Sequence, residues 1–60
     1  MAMTAMKRVL DERLEREDGY NDCFDAYRYG EDVEDVKKNC IGRSAAYRKG
    51  WVEALSVIHR

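Results

Sequence analysis

The sequence predicts an all-α fold, a small helical hairpin of two main helices with a short helix between them. Three observations predict it: apolar residues recur at helical spacing in two long stretches, glycines fall where those stretches should end, and proline is absent. The chain's 60 residues form a single domain, 1–60. A chain this short buries only about 60% of the surface its unfolded form exposes. Two cysteines and one histidine provide neither a disulfide framework nor a metal-ligand pattern to staple it. Self-association as a homodimer, or folding against a partner, is therefore expected to contribute to stability.

The second main helix has the clearest signature. Over residues 44–59 the residues Tyr47, Trp51, Ala54, Leu55 and Ile58 stand at i, i+4, i+7, i+8 and i+11, which places them on one helical face. Ser44 can cap the first turn through its hydroxyl. Gly50, next to the only tryptophan, costs about 1 kcal/mol relative to alanine inside a helix. Close packing commonly offsets such a cost, so Gly50-Trp51 marks where another helix approaches.

The first helix is expected to start at Thr4 and to carry Met6, Val9, Leu10 and Leu14, then Tyr20, Cys23, Phe24 and Tyr27. The step from Leu14 to Tyr20 is out of phase and contains Asp18-Gly19, which predicts a bend or frayed middle. The charged run before it reads as a solvated face with pairs such as Glu12-Arg16. Gly30 suits the position just past the helix end. Residues 31–39 then read as either a loop or a short helix, and the short helix is favoured because acids come first and Lys37 and Lys38 last, as the helix dipole prefers. Val33, Val36 and Cys40 share its face, and Gly42 closes it. The residues expected to pack the helices together are Tyr20, Phe24, Tyr47, Gly50, Trp51 and Leu55.

Composition narrows the chemistry. No uncharged run approaches the roughly 20 residues needed to span a bilayer, and the first ten residues lack the order of a signal peptide. A cytoplasmic protein with free, partly buried Cys23 and Cys40 is expected. His59 is alone and penultimate, which suits a helix-end cation or a solvated side chain. Adjacent acids such as Asp11-Glu12 and Glu34-Asp35 point in different directions on a helix and favour solubility over chelation. No nucleophile–base set, metal site or cofactor motif stands out, so no catalytic role is expected.

Net charge is −1, but residues 1–42 hold seven Lys+Arg against eleven Asp+Glu, and residues 43–60 hold four against one. Any phosphate-binding surface must therefore be local. The aromatic residues suit helix packing first; Tyr29 or Tyr20 stacking on bases beside Arg28, Arg48 or Lys49 is the RNA-binding alternative.

Three stretches resemble the small bacterial ribosome modulation factor family. They are Met6-Lys7-Arg8 with Arg13-Leu14-Glu15-Arg16, then Gly19-Tyr20, then Tyr47 with Gly50-Trp51 and Glu53-Ala54. The resemblance spans residues 6–55, with Gly-Trp-x-Glu-Ala its most distinctive part. It departs from the family after Gly-Tyr, at Asp22-Cys23-Phe24-Asp25, in the longer acidic connection 31–38, and in overall charge. The resemblance implies a two-helix cytoplasmic protein that binds the small ribosomal subunit and its rRNA and modulates translation during ribosome hibernation. Arg13, Arg16, Arg48 and Lys49 are then the expected RNA- or partner-binding residues. The alternative function is a small helical protein-binding regulator or inhibitor, of the kind a phage or other mobile element encodes. It is motivated by Val52 and Val57, which lie off the packing face.

Overall fold

The computed structural model describes the backbone of residues 2–60 and, within it, the side chains from Asp11 onward. Its element order is α1 (Ala2–Arg28), α2 (Val36–Asn39) and α3 (Ala45–Ile58), with no strand among the described residues. The two long helices pack on each other as the sequence predicts for an all-α hairpin. Thr4 lies inside α1 rather than at its start, because the residues before it, alanine and methionine, are good helix formers that do nothing to stop propagation. The side chains of Met6, Val9 and Leu10 lie outside the described residues.

The expected bend near Asp18-Gly19 does not occur; α1 is one continuous helix of 27 residues. The break in apolar phase has another cause. Leu14 is not part of the packing face and is 56% exposed, whereas Gly19 is buried. Gly19 and Gly50 meet at the crossing of α1 and α3. A Cβ added to Gly19 would collide with the carbonyl oxygen of Tyr47, and one added to Gly50 would collide with the carbonyl oxygen of Arg16. The two contacts are reciprocal, since each glycine faces the carbonyl three residues before the other. With hydrogens in place of Cβ, both become short Cα–H···O approaches, each worth about 0.5–1 kcal/mol.

Around this crossing the core consists of Cys23, Ala26, Val33, Cys40, Tyr47, Trp51, Ala54 and Leu55, with Tyr20, Phe24, Val36 and Ile58 half-buried against it. Tyr20 and Phe24 stack edge to face with ring centroids 4.9 Å apart. The Trp51 indole N–H donates to the Val33 carbonyl at 2.9 Å, inside the core. This bond ties the connection to α3 while Val33's own side chain is buried. Truncating a buried tryptophan costs about 3–5 kcal/mol. That is comparable to the total stability of a domain this size, about 3–9 kcal/mol at the usual per-residue range.

Local signals set the boundaries. At the end of α1, Gly30 takes a φ of 78°, its N–H donates to the Tyr27 carbonyl, and the Glu31 N–H donates to that of Ala26. Together these form a Schellman closure, which a left-handed glycine allows. The stretch 31–39 is helical only over Val36–Asn39; the part before it is a loop held by its own side chains. Asp35 caps α2 by accepting from the Lys38 N–H at 3.1 Å. The Asn39 amide donates to the carbonyls of Asp32 and Asp35, each at 2.8 Å. Ser44 caps α3, its hydroxyl accepting from the Tyr47 N–H at 3.2 Å.

Gly50→Ala and Gly19→Ala test the crossing. Alanine normally favours a helix interior by about 1 kcal/mol, yet here it should destabilise by about 1–3 kcal/mol net through overpacking. In urea denaturation both variants should lose stability, while Ala at an exposed α1 position such as Asp11 should not. A stabilised Gly50→Ala would show that the helices do not touch there.

Candidate nucleic-acid interface

The four basic residues singled out by sequence do not form one surface. Arg13, Arg16 and Lys49 come together beside the helix crossing, where they line a shallow depression with Glu12 and Ala46. A neighbouring depression adds Glu17 and Glu53 to Arg13 and Arg16. Arg16 is engaged there: its guanidinium grips both oxygens of the Glu53 carboxylate, Nε donating to Oε2 at 3.2 Å and Nη2 to Oε1. Both side chains are about half exposed, so the pair adds at most about 1 kcal/mol to stability. Its consequence is directional, since it holds the guanidinium toward α3 rather than leaving it free for a phosphate.

Arg48 lies on another surface. It rims a shallow groove with Lys37, Lys38, Asp35, Ile41 and Gly42, at the α2 side of the molecule. Sequence reasoning missed Lys37 and Lys38, assigning them only to the dipole of a short helix. A signal was present: residues 36–52 contain Lys37, Lys38, Arg43, Arg48 and Lys49 and no Asp or Glu.

Three buried groups, Tyr47, Cys23 and Cys40, meet charge at the edge of the core. The Tyr47 hydroxyl donates to Asp22 Oδ2 at 2.5 Å, while the Arg43 guanidinium sits 4.6 Å from the centre of the Tyr47 ring. Such a cation–π contact at a partly exposed site is worth about 0.5–1 kcal/mol. Burial, then the bond to Asp22, pushes the Tyr47 phenol above its ordinary range. Cys23 and Cys40 are free and buried. Burial raises the Cys23 thiol to about 11, with Cys40 and Glu34 adding to the effect. It also raises Cys40, against which Arg48 and Arg43 pull downward. His59 caps the end of α3 and meets Glu34 of the connection at 2.5 Å, an ion pair when the imidazole is protonated.

Among the described residues no three His, Cys, Asp or Glu side chains converge as a metal site would require. No helix among them is long and apolar enough to cross a membrane. No family model matches the chain, and no curated protein or solved structure does.

The raised Cys23 and Tyr47 values set a pH dependence. Both groups are neutral when protonated and lose their proton less readily when folded. For Cys23 the contribution is fully present below the unfolded thiol value near 9 and is lost as pH rises toward about 11; for Tyr47 the loss begins only above the ordinary phenol value near 10. The urea midpoint should fall as pH rises above 9, and fall less in Cys23→Ala, which removes one of the three raised groups and leaves Cys40 and Tyr47. A midpoint that rises from pH 9 to 11 would contradict the burial of these groups.

Proposed function

We propose that this protein is a non-enzymatic, ribosome-associated modulator of translation that binds the small subunit through its rRNA, in the manner of a hibernation factor. The observation that carries the proposal is the crossing itself. Gly19-Tyr20 and Gly50-Trp51, the pairs on which the resemblance to the ribosome modulation factor family rests, are the residues through which α1 and α3 touch backbone to backbone. In this reading the crossing holds two helices as a rigid support, and cations outside it meet the RNA backbone. The acid-free stretch 36–52 supplies the local positive charge that a chain of net charge −1 otherwise lacks.

One observation favours a second reading, a small helical regulator or inhibitor that binds a protein. Val52 and Val57 on α3 are 48% and 40% exposed, so the core does not use them fully. Single exposed valines are ordinary, which ranks this reading below the first.

Sedimentation of a lysate through gradients at low and moderate salt separates the two. A ribosome-associated modulator should travel with the small subunit or with whole ribosomes at low salt and leave them as salt rises and after nuclease treatment. A chain that stays at the top of every gradient overturns the first reading. One that travels with a nuclease-resistant protein complex supports the second.

A further inference from the structure

We infer that the phosphate-binding face of this protein is the groove between α2 and the first half of α3, with Lys37, Lys38 and Arg48 gripping the phosphodiester backbone of single-stranded RNA. This rests on the RNA-associated reading above and assigns it a surface different from the one around Arg13 and Arg16.

Charge segregation is the first support. Residues 36–52 carry five cations and no acid, while the rest of the chain carries six cations and twelve acids. Folding keeps that separation. The groove is lined by three cations and one acid, Asp35. That acid already has a task, since its Oδ1 accepts the Lys38 backbone N–H and caps α2. Among the described residues Lys37, Lys38 and Arg48 form no ion pair, whereas Arg16 is held by Glu53. The depression at Arg13, Arg16 and Lys49 matches the groove in having three cations and one acid, Glu12, but its Arg16 is already bound to Glu53, and Glu17 and Glu53 line the depression beside it.

Shape is the second support. The turn that presents the groove is fixed by backbone bonds, Cys40 N–H to the Val36 carbonyl at 2.9 Å and Arg43 N–H to that of Cys40 at 3.0 Å. Cys40, beneath it, is buried. On this anchored turn Ile41 projects outward, 80% exposed, beside Gly42 at φ 73°. A lone exposed isoleucine in the same groove as three unpaired cations offers an apolar contact for a ribose or base while the cations take neighbouring phosphates. Single-stranded RNA offers both phosphates and exposed base faces. The regular negative charge of a phosphodiester backbone suits three cations that no carboxylate of the described residues pairs, and with the RNA-associated reading above this makes RNA the occupant.

The test compares the full-length protein with two variants, Lys37→Gln/Lys38→Gln/Arg48→Gln and Arg13→Gln/Arg16→Gln, using fluorescence anisotropy with a labelled oligouridine over a range of salt. All five side chains are exposed, and circular dichroism checks that helicity is kept. Each single-strand phosphate contact contributes about 0.7 to the slope of log affinity against log salt, so removing three should reduce that slope by about 2 and weaken low-salt binding by at least about tenfold. The Arg13/Arg16 variant should change binding by less than about threefold, and Ile41→Ala should weaken it without changing the slope.

Loss of binding in the Arg13/Arg16 variant with wild-type affinity in the triple variant overturns the assigned face and leaves the RNA-associated reading standing. No oligouridine binding by the unmodified protein, together with no ribosome association, overturns both. Tighter binding to polyglutamate than to oligouridine at equal salt also overturns the RNA assignment and points to an acidic protein partner.

Discussion

The structure depends on one steric condition: α1 and α3 must approach until backbone meets backbone. Gly19 and Gly50 satisfy it reciprocally, each leaving room for a carbonyl of the opposite helix. Everything else in the core follows from that distance. Tyr47 and Trp51 flank Gly50 on α3, and the close crossing presses both onto the α1 face, where Tyr47 reaches Asp22 and the core closes over Cys23 and Ala26. Moving the helices apart by the width of a methyl group would open the space these rings fill, and a core of this size has little reserve against a void.

The connection is built as part of the core. Val33 enters as an apolar plug and its carbonyl takes the Trp51 N–H, so the acidic loop is fastened at the middle of α3. Asn39 and Asp35 tie the loop to α2, and His59 meets Glu34 at its far edge. These bonds hold the acids of residues 31–35 on a fixed loop, with Asp35 at the edge of the groove where Lys37, Lys38 and Arg48 gather. A chain with almost no net charge thereby acquires polarity, which matters more for binding a charged partner than the net value does.

Much of the fold is legible in the residues. The face of α3, the caps at Ser44 and Gly30, and the buried role of Trp51 follow from spacing and cap chemistry. The continuous path of α1 through Gly19 is not legible, because the same glycine signals a break when alone and a close crossing when another glycine stands opposite it. That partner is 31 positions away, and only tertiary contact pairs them. The grouping of the basic side chains is less legible. Residue type alone groups Arg13, Arg16, Arg48 and Lys49, but the fold separates Arg48 from the others and lays Glu53 on Arg16. Residue type does not say which cation a carboxylate from another element will occupy. The absence of acids from residues 36–52 is visible in the sequence, and the fold gathers Lys37, Lys38 and Arg48 of that stretch around one groove.

The central claim concerns a contact within one chain, and nuclear Overhauser effects measure it directly. A Cβ on Gly19 would come 3.2 Å from the Trp51 nitrogen and one on Gly50 3.0 Å from that of Tyr20, so the glycine Hα protons lie close to those amides. The account predicts strong Gly19 Hα to Trp51 N–H and Gly50 Hα to Tyr20 N–H effects. In a mixture of isotope-labelled and unlabelled protein, both should persist as signals within single chains. Their absence, or their appearance only between labelled and unlabelled chains, would contradict it.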